Sequence, residues 1–190
     1  LPRGTLRKEL IDCLRQSHRH RRKRRYLKEQ RGQIPNLVSI WERPADVEVR
    51  EIPWHWEGDL VIGKYNRSAI GTLVERTTRM TLLCKLEGRT TEEVTLAFEK
   101  KLMSLPFSLR MTLTYDRGKE MTNHEIFTQN TKTKVYFCDP QSPWQRGTNE
   151  NTNGLLRQYF PKGTDFTTIS QEEIDQVEER LNGRPRKCLQ

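Results

Sequence analysis

Paired cysteines are missing from this 190-residue chain. Its four, Cys13, Cys84, Cys138 and Cys188, are scattered with no C-x-x-C pair, which argues against a disulfide framework and a structural zinc site and leaves reduced thiols. Cys13, His18 and His20 lack paired-ligand spacing, and the basic stretch around them repels a cation. Long apolar runs are missing too. No stretch approaches 18 consecutive apolar residues and the N-terminus has no signal-peptide core, so membrane insertion and secretion are disfavoured and a soluble cytoplasmic protein is expected. Beyond residue 31 even net charge is missing: residues 32–190 hold 22 Lys+Arg against 22 Asp+Glu.

All of the +9 excess therefore sits in residues 1–31, with 12 Lys+Arg against 3 Asp+Glu. Cations at that density repel one another in a free chain and are neutralised by phosphates, with release of condensed counterions. The run RHRRKRR at 19–25 makes Arg21, Arg22, Lys23, Arg24 and Arg25 candidate DNA contacts; a solvated tail or a nuclear-localisation-like tract is the plain alternative from charge alone.

The length allows one compact domain of about 150 residues plus an appendage. Residues 1–53 divide into a basic helical arm, with Leu6, Leu10, Ile11 and Leu14 at helical spacing, and a connector punctuated by Gly32, Pro35, Pro44 and Pro53. Residues 54–190 form the compact domain. Three apolar runs, 56–62, 69–74 and 80–86, predict an antiparallel meander. A capping box at Thr90 and Glu93 opens an amphipathic helix that Pro106 ends. Leu109 to Asp116 alternates as a strand, Thr122 and Glu125 open a short capped helix, and 134–138 is a fifth strand. A helix over about 147–160 follows, and then another opened by Ser170 and Glu173. This order, βββαβαβα plus a helix, predicts a mixed five-stranded sheet with helices on both faces, the element order of the ribonuclease-H-like fold.

Three carboxylates stand out on that frame. Asp59 interrupts the apolar run WEGDLVIG, where a buried charge needs a partner. Asp116 ends the fourth strand in LTYDRGKE, with Gly118 suited to a tight turn, and in this fold strands one and four are neighbours. Glu150 follows with 33 residues between, in the first turns of a helix able to lower its carboxylate toward the aspartates. Arg157, seven residues on, shares its face where a phosphate backbone would need a cation. Phosphodiester transfer builds charge on attacking and leaving oxygens, which two hard divalent ions stabilise, and an all-carboxylate set fits Mg²⁺ or Mn²⁺ better than Zn²⁺. Singly, each acid has a plain reading as turn former, ion-pair partner or dipole-favoured helix start. The joint pattern is more specific than its parts.

The blocks HWEGDLVIG (55–63), TLVERTTR (72–79), LTYDRGKEM (113–121) and CDPQSPWQRGTNENTNGLLRQYFPKGTDF (138–166) resemble the transposases of IS30-type insertion sequences, members of the DDE superfamily related to retroviral integrases. The resemblance runs from about Arg31 to the C-terminus. It implies that Asp59, Asp116 and Glu150 are catalytic and hold two Mg²⁺ or Mn²⁺ ions, and that Arg157 is the family's basic residue. It also implies hydrolysis at a transposon end, then attack of the freed 3′-hydroxyl on target DNA, with a homodimer or higher synaptic oligomer in a nucleoid-associated setting. Compared with relatives, the chain is expected to be a truncated core lacking the end-recognition helix-turn-helix, and Gln141 stands where many carry histidine. Trp144, Arg146 and Lys119 are further DNA-contact candidates, each with a plain reading as packing or ion pairing. A ribonuclease-H-like nuclease without strand transfer and a DNA-binding protein derived from a transposase are the alternatives.

Overall fold

In a computed structural model, residues 34–186 are described. The helical arm and the Arg21–Arg25 run lie outside the described residues, as do Cys13 and Cys188. Strands β1 (His55–Ile62), β2 (Ala69–Glu75) and β3 (Thr81–Leu86) form the expected antiparallel meander. Strands β4 (Thr112–Tyr115) and β5 (Lys134–Phe137) add parallel to β1, giving the order β3-β2-β1-β4-β5. The connections are the helices α1 (Thr91–Met103), between β3 and β4, and α2 (His124–Thr131), between β4 and β5; α3 (Gly147–Tyr159) and α4 (Gln171–Asn182) follow.

Period-two alternation sorts the strands' side chains into two cores. Trp56, Leu73, Leu82, Leu113 and Tyr115 face α1 and α2, where Phe98, Leu102 and Phe127 complete one cluster. Val61, Ile70 and Leu83 point the other way, onto Leu155 and Leu156 of α3 and Ile174, Val177 and Leu181 of α4. Helices thus cover both faces, because both faces of the central strands are apolar.

Capping boxes start α1 and α4 as the sequence predicts: Thr90 with Glu93, and Ser170 with Glu173. The box expected at Thr122 and Glu125 does not form. Thr122 caps the preceding 3-10 turn and donates its hydroxyl to Lys119 O (2.6 Å), so α2 begins at His124 with no side-chain cap, and Glu125 instead accepts from Asn36 (3.0 Å). His124 is buried edge-to-face on Phe137 with its Nε2 at Asn36 O (3.2 Å). The fourth strand is shorter than its alternation, since Phe107–Leu109 close into a 3-10 turn.

The proline-punctuated segment 34–53 packs on this unit. Ile34 and Leu37 join the first core, Val38 O accepts from Phe137 N (2.9 Å), and Val47 is buried. Cys84 and Cys138 are free, and burial pushes their thiols up to about 12 and about 11, so neither is a reactive thiolate. No helix among the described residues is long and apolar enough to cross a membrane.

Candidate active site at the edge between β1 and β4

The parallel register pairs Trp56 with Leu113 and Glu57 with Thr114; continued by two residues, it sets Asp59 beside Asp116. Both carboxylates leave the sheet on the face that α3 covers, since their neighbours Gly58 and Tyr115 belong to the opposite face. Gly58 is required there: a Cβ would stand 2.7 Å from the Tyr115 ring. Gly118 adopts an extended backbone (φ −72°), so a left-handed turn is not its reason. Its N–H donates to Asp116 Oδ1 at 2.9 Å and orients that carboxylate, and a Cβ would run into Glu120.

One guanidinium lies between the two aspartates. Arg146 Nη1 is 3.1 Å from Asp59 Oδ1 and 2.7 Å from Gly58 O; Nη2 is 3.1 Å from Asp116 Oδ2, and the plane sits over Tyr115. The second Asp59 oxygen accepts from Asn153 Nδ2 at 2.8 Å. Burial raises the Asp59 carboxyl above its ordinary value, Arg146 opposes that, and Asp116 adds to it. Burial works against charge on Arg146 as well, but the two aspartates more than offset it and the guanidinium holds its proton more tightly than in water.

Glu150 is exposed on the first turn of α3. Arg146, at the N-cap of α3, and Asn153, three residues after Glu150 and on its face of the helix, both touch Asp59. Among the described residues no group of three or more acidic, His or Cys side chains converges closely enough to hold an ion, and Glu150 does not join the aspartates in this arrangement. A carboxylate that the sequence does not single out is Glu120. Burial raises it, and Asp116 and Asp59 raise it further, which places it in their field.

Beneath the site, α3 is seated by buried polar groups. Glu57 accepts from Arg76 Nη1 (2.7 Å) and from Asn149 N (2.9 Å), while Asn149 Nδ2 donates to Glu57 O and Thr72 O (2.7 and 3.3 Å). Arg76 and Glu57 are both buried, and Thr72 Oγ1 bridges Asn149 Oδ1 and Asp59 O. Charge and hydrogen bonding here fix the height of the helix that carries Glu150 and Asn153 and that Arg146 leads into. Asn149 and Asn153 carry no motif of their own, although three asparagines within 149–153 are poor helix formers and signal side chains with tertiary duties.

The outer candidates divide. Arg157 Nη2 donates to Ile62 O (2.8 Å) and Nη1 lies 3.4 Å from Phe160 O and Pro161 O, so its guanidinium ties the end of β1 to the C-terminal end of α3. Trp144 is 66% exposed and, with Trp41, lines a cavity of about 310 Å³. Lys119 is exposed in a groove shared with Leu60, Arg89 and Glu120, beside the end of β1. Gln141 lies in an exposed turn with φ +58°. Asp139 holds that turn by accepting from Trp41 Nε1 and Gln145 Nε2 (both 3.0 Å).

The integrase core domain family matches residues 50–143, a span that includes Asp59 and Asp116. The chain is 55% identical, over 99% of its length, to the transposase for insertion sequence element IS1086 of Cupriavidus metallidurans, and covers 56% of that protein. It is 51% identical, over 94% of its length, to the transposase InsI for insertion sequence element IS30A of Escherichia coli, covering 47% of it. The chain thus spans about half the length of these curated relatives. In three dimensions it is similar to the catalytic core domain of BIV integrase, with a TM-score of 0.53 and 16% identity over 70% of this chain and 86% of that one, a likeness of fold. Over residues 50–143 the chain matches the integrase core domain family, and over almost all of its length it is similar to the transposases of IS30-type insertion sequences.

Proposed function

We propose that this chain is the catalytic core of a DNA transposase that cuts a phosphodiester at the transposon end and joins the freed 3′-hydroxyl to target DNA. The observation that carries the reading is the pair Asp59 and Asp116, set side by side on parallel strands with one cation between them. A position where two carboxylates hold a guanidinium at 3.1 Å on each side suits a hard cation, and the donor set is all oxygen.

Asp59, Asp116 and Glu150 are the residues proposed to hold two Mg²⁺ or Mn²⁺ ions. Bound there, divalent ions stabilise charge on the attacking and leaving oxygens of phosphoryl transfer. In the first reaction a water oxygen forms a bond to phosphorus, the bond to the element's terminal 3′-oxygen breaks, and that oxygen leaves as a hydroxyl. In the second, the same oxygen forms a bond to a target phosphorus, and the target's own 3′-oxygen leaves with the proton. The chain's residues aim the groups: Gly118 N–H and Asn153 Nδ2 each fix one oxygen of an aspartate, and the Glu57–Arg76–Asn149 network fixes the helix bearing Glu150.

DNA at the transposon ends and in the target is the proposed partner. Residues 21–25, Lys119, Arg146 and Trp144 are proposed to reach it; Arg157 is proposed to do so with whatever surface its carbonyl contacts leave. Residues 1–53 are proposed as arm and connector and 54–190 as the catalytic domain, working as a homodimer or larger synaptic assembly in the bacterial cytoplasm at the nucleoid.

The test is incubation of the chain with a labelled transposon-end duplex and supercoiled target in Mg²⁺, Mn²⁺ and EDTA. Joined end–target products in metal and none in EDTA support the reading. Cleavage without joining would instead indicate a nuclease of the same fold, and binding without cleavage a DNA-binding derivative.

A further inference from the structure

Between β1 and β2 the chain makes a turn that nothing in the catalytic reading uses. Gly63 N donates to Ser68 O (2.9 Å), and within this closure Tyr65 and Asn66 both have left-handed backbones, φ +54° and +59°. With Arg67 N bonded to Lys64 O (3.3 Å), they are the two central positions of a tight hairpin turn of the kind that needs φ > 0 at both; Asn suits it, whereas a bulky Tyr there is uncommon. What the turn displays is Tyr65, 75% exposed, with Lys64 Nζ 5.0 Å and the Arg67 guanidinium 5.9 Å from its ring centroid.

The base of the turn is firm. Lys64 N donates to Thr164 O (2.9 Å), and a Cβ on Gly63 would stand 2.8 Å from the Phe166 ring. The acid facing the two cations, Asp165, is already engaged by Thr167 through its hydroxyl (2.7 Å) and its N–H (3.1 Å). The turn directly extends the strand that carries Asp59; at about 3.3 Å per residue, Tyr65 is on the order of 20 Å or less from that carboxylate. That is a reach of roughly six nucleotides at 3.4 Å each.

We infer that the Lys64–Arg67 turn is a binding site for an unpaired nucleotide of the DNA strand leaving the catalytic edge, its base stacked on Tyr65 and its phosphates met by Lys64 and Arg67. An aromatic ring at a rigid tip offers one face to a base, and within a duplex both faces of each base are covered by neighbours, so the ligand is a frayed or single-stranded segment. Cations that lie on the ring in its absence are the ones phosphates recruit when a base takes their place. The inference rests on the transposase reading only in taking DNA as the ligand.

The experiment uses the full chain and three duplexes of one sequence: blunt, with a short 3′ dT overhang, and with an abasic overhang of the same length. Phosphate contacts made elsewhere act on both overhangs alike, so the ratio of the two affinities isolates base stacking. The wild type is expected to prefer the dT overhang by about 5- to 100-fold. Tyr65→Ala should bring that ratio to about one at an unchanged melting temperature, and Tyr65→Phe should keep it. Lys64→Ala with Arg67→Ala should lower both affinities and flatten the salt dependence by roughly one to two ions. A wild-type ratio of one, or a Tyr65→Ala ratio equal to the wild type's, would overturn the inference. Metal-dependent cleavage in the same preparations separates the two readings: cleavage with a ratio of one removes only the nucleotide site, and a ratio that Tyr65 sets without cleavage upholds the site while removing the catalytic role.

Discussion

At the scale of single residues, Arg146 governs the behaviour of the site without metal. It neutralises two carboxylates that would otherwise repel each other, and it occupies the space an ion held by both would need. Arg146→Gln is therefore expected to cost roughly 1–3 kcal/mol of unfolding free energy in EDTA, discounted because each aspartate keeps about a third of its side chain exposed. The same variant should bind Mn²⁺ more tightly than the wild type and recover stability when it is added. Urea unfolding with and without Mn²⁺, together with calorimetric titration, reads both effects; equal Mn²⁺ affinity in the two proteins would show that the guanidinium does not compete. Asp59, Asp116 and Glu150 stand out in sequence because each is a charge in a patterned element. Arg146, which joins the first two, reads in sequence as a DNA-contact or ion-pairing candidate, but its pairing with Asp116, 30 residues before it, and with Asp59, further still, leaves no local trace.

At the scale of elements, the C-terminal half of α3 is seated on the sheet by Leu155 and Leu156, and its N-terminal half by a buried ion pair. Removing one partner strands the other charge away from water, so Arg76→Ala is expected to destabilise the chain by about 3–5 kcal/mol, more than Arg146→Gln, as measured by urea unfolding. A decrease below about 1 kcal/mol would contradict the network's role. His55 opens β1 with its imidazole Nδ1 2.9 Å from Thr112 Oγ1, and burial holds its pKa below the ordinary histidine value. A depressed pKa means the unfolded chain takes up the proton first, so His55 contributes stability above about pH 6.5 that is lost as pH falls, up to about 1.4 kcal/mol per unit. His55→Asn should flatten the stability profile between neutral and mildly acidic pH; an unchanged slope would assign that limb to other groups.

Elements are legible in sequence where local chemistry decides them. The meander, α1 and α4 follow from alternation and capping boxes that the fold keeps. The start of α2 is not, because the hydroxyl of Thr122 is taken by a turn its own neighbours make, and the burial of His124 depends on Asn36, 88 residues away. Arg157 falls on the expected helix, yet its carbonyl partners at Ile62, Phe160 and Pro161 depend on where β1 ends.

At the scale of the whole molecule, charge and chemistry are separated along the chain: residues 32–190 balance, and the excess lies in residues 1–31. Deleting residues 1–31 is expected to flatten the dependence of DNA affinity on salt while leaving metal-dependent chemistry on bound DNA, because every phosphate that the arm no longer neutralises keeps its counterion and lowers the slope by about one. Binding isotherms from low to physiological salt measure it, and an unchanged slope would place the phosphate-neutralising groups in the folded unit.

Asp59, Asp116 and Glu150 are proposed to act as one metal-holding set. The direct measurement compares Asp116→Asn with the wild type for cleavage of a transposon-end duplex in Mn²⁺ and for affinity to the same duplex in EDTA. The change removes one carboxylate oxygen and little surface, so cleavage is expected to fall by at least about a thousandfold with affinity within about twofold. Cleavage that survives, or a parallel fall in binding and cleavage, would contradict it.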